Sequence, residues 1–147
     1  MFLDSDFGKR VSREIESRGN ELATENRQIE AALAEEEQDL TNKRSAMTPE
    51  AFRPLADAFD TRVQATRQAQ AAKSRALNAQ LEQEREIFLN AAAPVLQELM
   101  ENVGASVVLE RRTVFISSNS TDITAAAVAR LNATLGEGDP KDPTPKD

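Results

Sequence analysis

From Phe7 to Leu40 the apolar residues recur at a coiled-coil spacing: Phe7, Val11, Ile15, Leu22, Ile29, Leu33 and Leu40. Arg18, Asn26 and Glu36 fill the remaining steps of an alternating three–four pattern. Such a period puts one narrow apolar stripe along a long helix and cannot serve a strand, whose faces alternate every second residue. The polar residues within the stripe weaken it and help to set its register.

A stripe this narrow needs a partner, and the chain supplies one. After a break over residues 42–48, Thr48-Pro49-Glu50 reads as a helix start. It offers a capping hydroxyl, proline at the first helical position and an acid facing the positive end of the helix dipole. Helical character then continues to Asn102-Val103-Gly104, a stop signal. At about 1.5 Å per residue, a helix from Pro49 to Val103 is on the order of 80 Å long. Pro54 and Pro94 are expected to kink or reset it. Leu40 with Leu55, Leu33 with Val63, Ile15 with Leu81 and Phe7 with Phe88 share nearly the same sum of residue numbers. A constant sum is the mark of antiparallel pairing about one turn, here near Met47.

The second helix thins between Val63 and Leu77, where its apolar residues are alanines. Alanine buries little area, so this stretch is expected to be the most mobile of the hairpin. Either a thin contact suffices there or the arm is built to flex. Alanine also supplies much of the 39% hydrophobic content, and the only aromatics are six phenylalanines. An elongated shape fits this composition better than a thick core.

Beyond Gly104 the pattern changes. Ala105 to Glu110 and Thr113 to Ser117 are β-branched runs flanking Arg111-Arg112, the signature of a β-hairpin. After a polar loop, Asp122 caps a short helix carrying Ile123, Ala127, Leu131 and Leu135, closed by Gly136. The expected organisation is therefore residues 1–8 as an N-terminal part of a small body and 9–103 as the hairpin arm. Residues 104–135 return to the body, and 136–147 form an acidic, proline-rich, disordered tail. The fold class is mainly α, a long antiparallel helical hairpin on a small α/β oligomerisation body. Two strands and one short helix are too little to stand alone, so further strands must come from other chains or from an N-terminal segment.

Chemistry is conspicuously missing. There is no His, Cys, Trp or Tyr. That removes the usual general base near neutral pH, the thiol nucleophile and the commonest zinc ligands. An enzyme, a cofactor and a metal site are not expected. The net charge of −7 argues against nucleic acid as a partner, and no apolar run approaches the length of a membrane span. The residues after Met1 are acidic, unlike a signal peptide. With Met1 as the natural start, the cytoplasm is the expected location.

The charge is unevenly placed. Between Lys43 and Arg75 there are seven basic residues (Lys43, Arg44, Arg53, Arg62, Arg67, Lys73, Arg75) and three acidic ones. These cations either pair with acids across the hairpin or form a grip for acidic polypeptides or anionic lipid headgroups. Phe52, Leu55 and Phe59 near the turn either close the hairpin or make a sticky tip.

Val107-Val108-Leu109-Glu110, then Thr113-Val114-Phe115-Ile116-Ser117, then Asp122-Ile123-Thr124 opening a helix, resembles the C-terminal body of the Skp/OmpH family of periplasmic chaperones. Phe2, Ser5 and Gly8 resemble the passage from that family's first strand into its first helix. The resemblance extends to about Leu135. It implies a homotrimer whose subunits pool strands into a β body, with Val107, Val108, Val114, Phe115 and Ile116 in that body. It also implies an ATP-independent holdase for unfolded outer-membrane β-barrel proteins crossing the periplasm. The basic distal arm, with Phe52, Leu55 and Phe59, then belongs to the client-holding surface. The family carries a signal and a strand ahead of the residues matching Phe2, and its well-known members are basic where this chain is acidic. A coiled-coil scaffold or tether is the alternative reading of the same arm.

Overall fold

The computed structural model describes Met1–Gly138. Three helices make most of it: α1 (Asp6–Arg44), α2 (Pro49–Asn102) and α3 (Thr124–Leu135). Single 3-10 turns stand at Phe2–Asp4, Arg111–Thr113 and Asn119–Thr121. The contacts divide the chain into two units. One joins Met1–Ile15 to the residues from Gln80 onward, and the other is Glu16–Ala79.

In the first unit, local sequence dictates how α1 begins. Ser5 Oγ donates to the Phe2 carbonyl at 2.6 Å and accepts from the Gly8 N–H at 3.0 Å, so one buried hydroxyl both caps the helix and holds the preceding turn. A Cβ at Gly8 would lie 1.9 Å from the Phe2 carbonyl oxygen, and only glycine lets the turn fold back so closely. A further orphan donor at this helix start, the Asp6 N–H, is taken by Asn132 Oδ1 on α3 at 2.9 Å.

The core beneath contains Phe7, Val11, Phe88, Ala92, Val95 and Leu131. Phe7 and Phe88 face each other with ring centroids 5.7 Å apart, and Phe2 packs edge-on against Phe88 at 5.1 Å. Ile15 and Leu81 join the same cluster. The pairing of the two helices read from residue numbers is therefore realised at this end.

Helix ends follow the expected signals. Thr48 Oγ1 accepts from the Ala51 N–H at the start of α2. At its end, Gly104 (φ 70°) donates to Glu101 and Ala105 donates to Met100, the two bonds of a Schellman cap. At α3 the N-cap position falls on Ile123, one residue past the expected Asp122, whose Oδ1 still accepts from the Thr124 N–H at 2.9 Å, and Gly136 closes the helix with φ 56°. Pro54 and Pro94, by contrast, do not interrupt α2. Both prolines are exposed, as are Glu50 and Asn90, whose carbonyls lose a donor, so solvent can satisfy them.

The β-hairpin expected over 105–117 is not formed, and no strand occurs among the described residues. The backbone is extended at Glu110 and at Val114, but a 3-10 turn separates them and no ladder joins the two runs. The physical reason is burial. In the single chain Val107, Leu109, Phe115 and Ile116 are 62%, 63%, 97% and 81% exposed, so pairing would order two strands with nothing to cover. The mainly α class holds; the α/β body does not appear in one chain.

Of the expected tail, Gly136–Gly138 lie within the described residues and are packed. Arg10 Nε donates to the Glu137 carbonyl at 2.6 Å. A Cβ at Gly138 would come within 2.5 Å of the Phe7 ring. Residues 139–147, the rest of that tail, lie outside the described residues.

Candidate functional site

The second unit, Glu16–Ala79, carries every residue predicted for the client-holding surface of the arm. Its half-buried positions on α1 are Gly19, Leu22, Asn26, Ile29, Leu33, Glu36 and Leu40, with Glu25 beside them. Those on α2 are Phe52, Ala56, Phe59, Val63, Thr66, Gln70 and Leu77, with Lys73 standing at the step between the last two. Both alternate by three and four, the geometry of a two-helix seam.

Two details depart from expectation. Steps of four from Val11 to Ile15 to Gly19 turn the seam onto Gly19, leaving Arg18 exposed. Gly19 has no side chain to fill the space, and Leu77 reaches it, its Cδ2 4.0 Å from where a Cβ would stand. At the other end Leu55 is 40% exposed because Phe52, Ala56 and Phe59 hold the stripe, and one residue further on is about 100° around the helix. Phe52 and Phe59 thus close the hairpin, while Leu55 and Met47 point outward.

The cations divide into two sets. Arg62 pairs with Glu36 and Lys73 with Glu25, both across the hairpin. The Lys73 ammonium, with Gln70, holds the Glu25 carboxyl below its ordinary range. Lys43, Arg44, Arg53, Arg67 and Arg75 are exposed and have no ion-pair partner among the described residues. These five keep their hydration and remain available for an anionic surface.

A polar layer that the stripe only partly reveals lies in the middle of this seam. Gln70 Nε2 donates to Glu25 Oε1 at 3.4 Å, while Gln70 Oε1 and Asn26 Oδ1 are buried without a hydrogen-bond partner. The sequence points to Asn26, which breaks the apolar repeat. Gln70 sits among alanines and polar residues, and only the fold turns it inward.

The first unit holds the residues predicted for assembly. Val107, Val108, Phe115 and Ile116 are exposed, Val114 is half-buried, and Val103 and Leu109 add to the same run. Sequence reasoning missed Arg10, which is 7% exposed, stacks over Phe7 and donates to Glu14 and to Glu84 at 3.0 Å. An arginine between two seam residues carries no signal of burial until the neighbouring acids are brought to it.

Among the described residues no helix is long and apolar enough to cross a membrane, and no cluster of acidic residues could hold a metal ion. No curated protein and no solved structure matches the chain. One family does match, described as Outer membrane protein (OmpH-like), over residues 1–131. That span includes the Phe2–Gly8 cap, both long helices, the exposed apolar run and α3 to Leu131. The chain belongs to the OmpH-like family.

Proposed function

We propose that this protein is an ATP-independent holdase that binds unfolded outer-membrane β-barrel proteins in the periplasm and prevents their aggregation. OmpH-like proteins are non-enzymatic chaperones of outer-membrane proteins. The observation that carries the finer reading is the set of five exposed cations on the Glu16–Ala79 unit that have no ion-pair partner among the described residues, in a chain that is −7 overall. Between Lys43 and Arg75 basic residues outnumber acidic ones seven to three, and this local excess attracts acidic segments of a fluctuating client while keeping each contact weak and reversible. Leu55 and Met47 add small apolar contacts near the turn. The same cations can rest against anionic lipid headgroups without insertion.

Function at this level needs assembly. The run from Val103 to Ile116 is rich in β-branched residues, extended at Glu110 and Val114 on either side of a 3-10 turn, and largely uncovered apart from half-buried Val114. Three copies pooling these segments would bury it in a shared sheet, and we assign the body of a homotrimer to Val107, Val108, Val114, Phe115 and Ile116.

The test is native mass spectrometry of the protein mixed with an unfolded β-barrel protein freshly diluted from urea. Three chains with one client is the expected complex. A monomer or dimer that ignores the client would overturn the holdase reading and leave a coiled-coil scaffold in its place.

A further inference from the structure

A holdase arm needs apolar surface, and this one displays little. On the Glu16–Ala79 unit the exposed large apolar residues are Met47 and Leu55, both near the turn. The remaining large apolar side chains, among them Leu22, Ile29, Leu33, Val63 and Leu77, are half-buried in the seam. Yet the seam is interrupted in its middle by two buried carbonyl oxygens, Asn26 Oδ1 and Gln70 Oε1, that accept no hydrogen bond. Closing the seam there strips both carbonyl oxygens of water with no protein donor in its place, although Gln70 Nε2 keeps its bond to Glu25, and opening it restores that water. The flanking contacts resist opening only weakly. Gly19 offers no side chain toward Leu77, α2 places no apolar residue on the seam between Val63 and Leu77, and the cross-helix pair Glu25–Lys73 is solvent-accessible and so screened by salt.

We infer that the Asn26–Gln70 layer is the opening point of the arm, and that local separation of α1 from α2 there exposes a cryptic binding site for extended apolar polypeptide. Leu22, Ile29, Val63 and Leu77 form that site. Arg67 and Arg75, exposed and without ion-pair partners among the described residues, stand on α2 on either side of Gln70 and select segments with acidic flanks. A seam that opens only transiently offers client contacts without a permanently exposed apolar patch, which would promote self-association. The inference rests on the holdase reading for its ligand, but not for the opening itself.

Asn26→Leu/Gln70→Leu in the full chain replaces the layer with apolar side chains and tests both parts. Amide exchange over residues 22–30 and 66–74 should slow by about tenfold or more, and affinity for an unfolded β-barrel protein diluted from urea should fall several-fold. Leu22→Asn, which adds a polar group to the seam, should act oppositely on exchange. Unchanged exchange in the double variant overturns the opening point, and slowed exchange with unchanged client affinity overturns the cryptic site. If the unaltered protein binds no client, the holdase reading fails, while the exchange comparison still decides where the arm opens.

Discussion

The Phe2 carbonyl oxygen occupies almost the place where a Cβ on Gly8 would stand, 1.9 Å away. Gly8→Ala therefore cannot be absorbed by a rotamer change, because the obstacle is backbone. The Phe2–Asp4 turn must lift, which withdraws Phe2 from Phe88 and breaks the Ser5 cap. A loss of about 2–3 kcal/mol is expected. Urea denaturation of both proteins measures it, and a difference within error of zero would show that the turn does not contribute to the folded state.

Phe88 and Arg10 test the core from two sides. Phe88 is fully buried, so Phe88→Ala should cost about 3–5 kcal/mol through lost burial and a residual cavity. Arg10→Ala leaves Glu84, itself mostly buried, without its guanidinium partner and should cost about 3–5 kcal/mol. Arg13→Ala, whose pair with Glu137 is exposed on both sides, should cost no more than about 1 kcal/mol. Chemical denaturation of the three variants orders them.

Phe115 separates assembly from folding. It is 97% exposed in the single chain, so Phe115→Asp should leave helix content by circular dichroism unchanged. Sedimentation velocity should nonetheless show the proposed trimer dissociating at concentrations where the unaltered protein is expected to stay assembled. An unshifted sedimentation coefficient would remove Phe115 from the interface.

The arm should loosen in acid. Glu25 titrates below its ordinary value because Lys73, helped by Gln70, stabilises the carboxylate in the folded state. A depressed folded-state pKa contributes stability above the unfolded value and loses it as pH falls through the folded one. Amide exchange around Glu25, corrected for intrinsic rates, should therefore show less protection as pH drops below about 4.3. In Glu25→Gln that part of the acid dependence should vanish; an identical profile in both proteins would mean the pair contributes nothing.

The helices, their caps and their antiparallel pairing were legible in the sequence because each depends on near neighbours and a repeat. A capping hydroxyl, a glycine past a helix end and a three–four stripe act within one or two turns. Phe7 opposite Phe88 followed from that periodicity alone, since two stripes and one turn leave a single register. Leu55 shows the limit of such reading: it is apolar and close to the stripe, but the larger rings of Phe52 and Phe59 decided which face was buried.

What the tertiary structure decided depends on distance in sequence. Arg10 is buried because Glu84 and the Glu137 carbonyl arrive from elsewhere in the chain, and Asn132 caps α1 from α3. Gln70 faces inward, beside Glu25, because the hairpin register leaves it no other place. The runs Ala105–Glu110 and Thr113–Ser117 have strand-like sequences, yet a strand is a relation between segments, and one chain does not supply enough covered surface to make it. Sequence determines which residues can cap, stripe and turn; only the assembled contacts decide which polar groups are buried and which apolar ones remain waiting for a partner.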